Sequence, residues 1–199
     1  TRVVATGGEG DDTIDAGMLA GATVQFSGGR GKDKLYAGSA GGILEGNEDA
    51  DILDGSAATQ PVELYGWSAD DRNGSNDGGR DGDDKLTGGS ADDRLFGGRG
   101  DDTLIGNVGF DVLSGGGGVD QLQGGPDGDS YVFWNYSGDD RLRDNEGYNT
   151  LDFSWIDVDS VDLVSTVNAR RVEASWQGGS VSTPWGSGLK VATRFGEID

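Results

Sequence analysis

The residues of this sequence that could do chemistry are aspartates, and they come at fixed intervals. From Gly79 to Val132 the chain reads GRDGDDKLT, GGSADDRLF, GGRGDDTLI, GNVGFDVLS, GGGGVDQLQ and GGPDGDSYV, nine-residue units in one register. Each opens on glycine, carries an aspartate sixth and places an apolar or aromatic residue eighth. A carboxylate beside a glycine-rich turn, with the turn's own carbonyls, is a set of hard oxygen donors. Two such turns stacked together can supply the six to eight oxygens that calcium takes at about 2.3 to 2.6 Å, whereas magnesium, which wants a tight octahedron, fits poorly. The chain's net charge is −21, from 36 acidic against 15 basic residues. Carboxylates stacked at the strand spacing of about 4.8 Å repel one another, so binding a multivalent cation should be the folding reaction itself.

The elements that position these acids follow from the same unit. Early glycines allow the sharp turns that need φ > 0, and the closing triplet, such as RLF or TLI, is a very short strand. A strand that buries one side chain is unstable alone, so copies must stack into a solenoid whose core is the eighth-position column. The pattern resembles the RTX (repeats-in-toxin, hemolysin-type) calcium-binding nonapeptide repeat family. That resemblance implies an all-β fold, a right-handed parallel β-roll with two units per coil and calcium between successive turns along each edge. It also implies a secreted, extracellular bacterial protein exported by type I secretion, with Ca2+ as its cofactor; counting neighbouring aspartates along each edge gives about nine ions.

Composition narrows the alternatives. The acidic balance excludes nucleic acid as a partner. Hydrophobic content of 33 % with 39 glycines would suggest disorder if the period were absent. Cysteine and histidine are both missing, which removes most zinc and haem chemistry and every hydrolase triad built on histidine. No apolar run reaches membrane-spanning length and no signal peptide opens the chain. It begins at Thr1 and reads as an excised or processed piece of a larger protein.

With insertions allowed, the period extends upstream as GGEGDDTID from Gly7, LAGATVQFS, GGRGKDKLY, AGSAGGILE, GNEDADILD, GSAATQPVELY and GWSADDRNG from Gly66. The eighth-position column there runs Ile14, Phe26, Leu35, Leu44, Leu53 and Leu64, broken at Asn73. The sixth position alternates Asp12, Val24, Asp33, Gly42, Asp51, Val62, Asp71. Successive units fall on opposite edges, so this half is expected to carry cations on one edge only. Residues 72–78 leave two possibilities. With one irregular strand there, the ladder continues through Asp93, Asp111 and Asp129, while Asp84, Asp102 and Asp120 start a second ladder on the previously bare edge; without it, the edges exchange there.

The candidate metal ligands are the carboxylates of Asp12, Asp33, Asp51, Asp71, Asp84, Asp93, Asp102, Asp111, Asp120, Asp129 and Asp140. The first possibility pairs 51 with 71 and 71 with 93. The family resemblance adds main-chain carbonyls at the second and fourth positions: Gly8, Gly10, Gly29, Gly31, Asn47, Asp49, Trp67, Ala69, Arg80, Gly82, Gly89, Ala91, Gly98, Gly100, Asn107, Gly109, Gly116, Gly118, Gly125 and Asp127.

After Val132 the units NYSGDDRLR and DNEGYNTLD keep Leu142 and Leu151 in register, and the progression resembles the segment that closes RTX rolls, with Tyr131, Phe133, Trp134 and Phe153 covering the open end. From Trp155 onward VDLV, RVEASW and LKVATRF read as antiparallel strands turning at 168–170, 177–179 and 186–188. The organisation expected is therefore an irregular roll over 1–78 with calcium on one edge, a regular roll over 79–132 with calcium on both, and a capping segment with a β-strand flank over 133–199.

Arg99-Gly100-Asp101 spells an integrin tripeptide, but the repeat already demands glycine then acid there. Asn73-Gly74-Ser75 and Asn135-Tyr136-Ser137 match glycosylation acceptors, of little meaning in a bacterial family. The ladder acids are committed as metal ligands, so no catalytic residue is expected among them, and any protease, lipase or polysaccharide-modifying activity belongs to a neighbouring domain. A non-enzymatic calcium module is the leading reading. A surface adhesin binding glycan or another copy, through the small-residue edge or through Trp134, Trp155, Trp176 and Trp185, is the alternative.

Overall fold

One buried apolar residue per unit can hold a chain together only if the units stack in register. The computed structural model describes residues 1–67, 81–134, 137–144, 146–155 and the strands at 162–166, 171–176, 179–184, 190–193 and 196–198. These build two ten-stranded sheets. The first runs, in spatial order, β1 (Arg2–Glu9), β3 (Thr23–Arg30), β5 (Gly42–Glu48), β7 (Val62–Tyr65), β9 (Arg94–Arg99), β11 (Val112–Gly117), β13 (Ser130–Trp134), β15 (Thr150–Trp155), β19 (Lys190–Thr193) and β20 (Gly196–Ile198). The second runs β2 (Thr13–Asp15), β4 (Lys34–Tyr36), β6 (Ile52–Asp54), β8 (Lys85–Thr87), β10 (Thr103–Ile105), β12 (Gln121–Gln123), β14 (Gly138–Leu142), β18 (Gly179–Pro184), β17 (Arg171–Trp176) and β16 (Asp162–Thr166). From β1 to β15 strands alternate between the sheets and pair in parallel with the strand one coil away, which gives a β-solenoid of about 7 turns, consistent with a parallel β-roll.

The core is the eighth-position column of both sheets. In one, Phe26, Leu44, Leu64, Leu95, Leu113, Tyr131 and Leu151 stand directly over one another. In the other, Ile14, Leu35, Leu53, Leu86, Leu104, Leu122 and Leu142 do the same. Apart from Ile14, which is only partly buried, these side chains are buried almost completely. Each contributes about 2 kcal/mol by its burial. Phe133 and Phe153, stacked at 4.9 Å between ring centres, extend this core into the closing coil. Trp134 leans on Trp155 at 5.0 Å and donates from its indole nitrogen to Ser114 Oγ.

Of the two possibilities around residues 72–78, the strand pairing selects the second. β6 pairs directly with β8, and β7 with β9. Asp71, Ala69, Arg80 and the Asn73 triplet lie outside the described residues. The apparent pairs of Asp51 with Asp71 and of Asp71 with Asp93 are therefore replaced: Asp51 neighbours Asp84, and Asp93 neighbours Val62. The physical reason is a split turn. Gly66 sits against Asp84 Oδ2, the place that the first-position glycine of a regular unit takes five residues before its aspartate. Trp67 packs under Gly98 and Gly82 under Gly100, so Gly66-Trp67 and Asp81–Asp84 form one turn, with residues 68–80 inserted between its halves.

Both sheets pass into the C-terminal flank. β16, β17 and β18 form the expected antiparallel meander, joined to the roll through the parallel pair of β18 with β14. The LKVATRF strand differs from expectation: β19 lies parallel to β15 in the opposite sheet and turns back only into β20. Among the described residues no helix is long and apolar enough to cross a membrane.

The column carries a direct test. Leu104→Ala, at a site with no exposed surface, should cost about 2 to 5 kcal/mol in denaturant unfolding with calcium present. A loss below about 0.5 kcal/mol, the range of a surface substitution, would mean that the column is not the core.

Candidate metal centre

The turns are built by backbone inversion. At the second and fourth positions φ is positive: Gly8 and Gly10, Gly29 and Gly31, Asn47 and Asp49, Gly98 and Gly100, Asn107 and Gly109, Gly116 and Gly118, Gly125 and Asp127. An L-residue adopts this region at a cost, least for asparagine and aspartate, the types found at the exceptions. The inversion aims each carbonyl at the next coil. A Cβ added at Gly29 would meet Gly8 O at 2.1 Å, and one at Gly118 would meet Gly100 O at 2.0 Å. These are the carbonyls expected as ligands. Trp67, Gly82, Gly89 and Ala91, expected likewise, do not share the inverted φ. They belong to the split turn and to the first aspartate turn of the second edge.

The sixth-position aspartates form two ladders. In the first, the backbone N–H of one aspartate donates to Oδ1 of the aspartate one coil on: Asp12 to Asp33, Asp33 to Asp51 and Asp51 to Asp84, each at 2.7 Å. It continues from Asp84 to Asp102 and Asp102 to Asp120, both at 2.8 Å, and from Asp120 to Asp140 at 3.2 Å. On the second edge Val24, Gly42 and Val62 stand in register where aspartates would be. The acids begin only at Asp93, whose Oδ1 accepts from Val62 N–H at 2.8 Å, and go on through Asp111 and Asp129. Acids thus line one edge throughout and the other only in its later half.

The second oxygen of each carboxylate is the telling one. Oδ2 of Asp12, Asp33, Asp51, Asp84, Asp102, Asp111, Asp120, Asp129 and Asp140 is buried without a hydrogen-bond partner. A buried anionic oxygen left bare costs several kcal/mol. From Asp12 to Asp129 each lies beside its first-position glycine, and beside Gly7, Gly28, Gly46, Gly66, Gly97 and Gly106 the space also admits the carbonyl of the next coil. A Cβ at Gly97 would sit 2.3 Å from Asp102 Oδ2 and 2.5 Å from Gly115 O, and one at Gly28 would sit 2.2 Å from Asp33 Oδ2 and 2.8 Å from Gly46 O. Asp93 departs from this: its Oδ2 accepts from Gly89 N–H, so the acid that faces the valine turn is satisfied by the protein itself. Among the described residues no three acidic side chains converge on one point, so every site must be completed by main-chain carbonyls.

The donor set fits a hard divalent cation. Carboxylate Oδ2 atoms and second- and fourth-position carbonyls would hold calcium between coils, and the bound ion would supply the positive charge and coordination that the bare oxygens lack. Sequence reasoning missed a second set of acids. Oδ1 of the fifth-position aspartates Asp11, Asp83 and Asp101 accepts, at 2.9 Å, from the backbone N–H of the fifth residue one coil on, and Asp92 does the same for Phe110 N–H at 3.0 Å. A fifth-position acid thus clasps the coil ahead and a sixth-position acid the coil behind. The signal was the Asp-Asp doublet.

Burial raises the sixth-position carboxyls from Asp33 onward above the ordinary 3.8. It carries Asp51 to about 8, with Asp33 adding to the rise, Asp84 to about 10 and Asp102 to about 9. Asp111 rises to about 6 and Asp129 to about 7, and Asp33, Asp93, Asp120 and Asp140 are raised too, again mainly by burial. Because the folded values lie above the unfolded one, the stability they contribute without metal is complete below the unfolded value and is lost as pH rises through the folded values. Chain held in chelator should gain β-structure by circular dichroism as pH falls from about 9 to about 5, a window above the pI of about 4.1. A spectrum that does not change across that window would contradict the assignment.

A model of the RTX calcium-binding nonapeptide repeat matches the chain in four copies, at residues 4–18, 27–58, 79–104 and 96–131, together just over half of its 199 residues. No curated protein matches it. The matched copies fall on the aspartate turns and leucine strands of the two sheets, and repeats of this kind bind calcium; the chain belongs to the RTX calcium-binding nonapeptide repeat family.

Proposed function

We propose that the chain is the calcium-dependent folding module of a larger secreted bacterial protein. It stays open at low cytosolic calcium, leaves by the type I route, and closes into the roll where calcium is abundant, stabilising its parent outside the cell. The observation that carries this reading is the row of buried Oδ2 atoms without partners. A fold that encloses so many bare anionic oxygens, in a chain of net charge −21, is stable only when cations enter with them. Each site held at 100 times its dissociation constant adds about 2.7 kcal/mol, and extracellular calcium modules bind in the range of about 10⁻⁴ to 10⁻³ M. Export before folding then needs no further switch.

Catalysis is not assigned to the ladder. From Asp33 onward these acids are 0–2 % exposed, so a substrate has no access to them, and any activity of the parent belongs to another domain. The test is a calcium titration followed by circular dichroism. A cooperative gain of β signal with millimolar calcium, reversed by EGTA, is the expected result. The same β signal in excess EGTA at neutral pH as in calcium would overturn the coupling.

A further inference from the structure

The second edge ends on a turn that breaks the pattern twice. In the last unit, residues 144–152, strand β15 keeps register with β13 through Thr150 opposite Ser130 and Leu151 opposite Tyr131. Asn149 takes the sixth position. Its Oδ1 accepts from Asp129 N–H at 2.8 Å and its amide donates to Glu146 O at 2.8 Å. It reproduces the inter-coil hydrogen bond of an aspartate without the charge. The first position, glycine in the preceding units of this edge from Gly88 on, is Asp144, only 6 % exposed.

The Asp144 carboxylate turns back toward the preceding coil. Its Oδ2 accepts from the Tyr131 hydroxyl and, at 3.4 Å, from Gly125 N–H; its Oδ1 accepts from Glu146 N–H at 3.1 Å. Tyr131, fully buried, in turn accepts from Gly124 N–H at 2.6 Å. Along the rest of this edge the space beside the first-position glycine is lined by Oδ2 and the next coil's glycine carbonyl: Asp93 Oδ2 and Gly106 O beside Gly88, Asp111 Oδ2 and Gly124 O beside Gly106. A Cβ at Gly124 would sit 2.0 Å from Asp129 Oδ2 and 2.6 Å from the Tyr131 hydroxyl, to which Asp144 is bonded. Asp129 is 1 % exposed and its Oδ2 has no partner. The missing sixth-position acid is thus replaced by one at the first position, aimed at the same space.

We propose that Asp129 and Asp144 hold a further calcium ion that closes the second edge, beyond the rung shared by Asp111 and Asp129; Asn149 gives its oxygen to Asp129 N–H and supplies no ligand. Tyr131 is a positioning residue: its hydroxyl orients Asp144 and is not a ligand. The inference rests on the calcium reading of the ladder. It is tested by counting calcium ions on the folded chain by native mass spectrometry, with circular dichroism as the check on folding. Asp144→Asn should fold and hold one ion fewer than wild type, while Tyr131→Phe keeps the wild-type number. An unchanged count in Asp144→Asn overturns the site and leaves Asp144 a hydrogen-bonding cap. If Asp144→Asn does not fold in calcium, Asp144→Asn/Asn149→Asp decides: folding with the wild-type count supports the site, and failure of this variant too overturns it. Wild-type chain that holds no calcium at all would sink the ladder reading, a result distinct from loss of the last ion alone.

Discussion

The whole structure depends on a repulsion that the protein does not resolve with its own side chains. Along each edge, carboxylates stack at the strand spacing of about 4.8 Å; from Asp33 on each gives one oxygen to a backbone N–H one coil away, and all but Asp93 leave the other buried and bare. Among the described residues, the ion pairs that Arg30 makes with Glu9 and Glu48 lie on the outer face of the turns, away from these oxygens. One leucine per nine residues, worth about 2 kcal/mol, falls short of the ordering entropy of the turn around it. On the proposed reading cation binding closes that gap, which would make folding and calcium binding one event in this chain.

The two edges meet the same difficulty by different means. Where Val24, Gly42 and Val62 replace the acids, the edge is packed instead: Ala16, Val24, Ala37, Ala58 and Val62 are buried, and the Val62 side chain lies 2.9 Å from where a Cβ on Gly55 would sit, filling the space that Oδ2 lines elsewhere. The handover is local. Asp93, the first acid above the valines, has its second oxygen satisfied by Gly89 N–H, whereas Asp111, the next, does not. An apolar edge requires no cation, so the first coils depend on calcium along one side only.

Much of this was legible in the sequence because the repeat is a register device. The eighth-position column and the alternation of Asp with Val and Gly follow from counting nines, and the resemblance to the RTX repeat implied the carbonyl positions. The split turn was not, because the intervening sequence imitates the repeat: SADD at 68–71 supplies a sixth-position aspartate where the pattern asks for one, and only the hydrogen bond from Asp51 N–H to Asp84 shows which acid stands next to Asp51. The one warning was Asn73, the single break in the apolar column. The replacement of a sixth-position acid by Asp144 was hidden for a related reason. A first-position aspartate looks like a decayed glycine until Tyr131 is seen to hold it against Asp129.

The central claim is an asymmetric ladder, and the location of the ions tests it most directly. A crystal structure of the chain grown in calcium, with the ions placed by anomalous scattering, should show metal along the edge of Asp12, Asp33, Asp51, Asp84, Asp102, Asp120 and Asp140 throughout, and on the other edge only from Asp93 onward. Metal bound at the turns of Val24, Gly42 or Val62, or an ordered roll with no metal beside the bare Oδ2 atoms, would contradict the account.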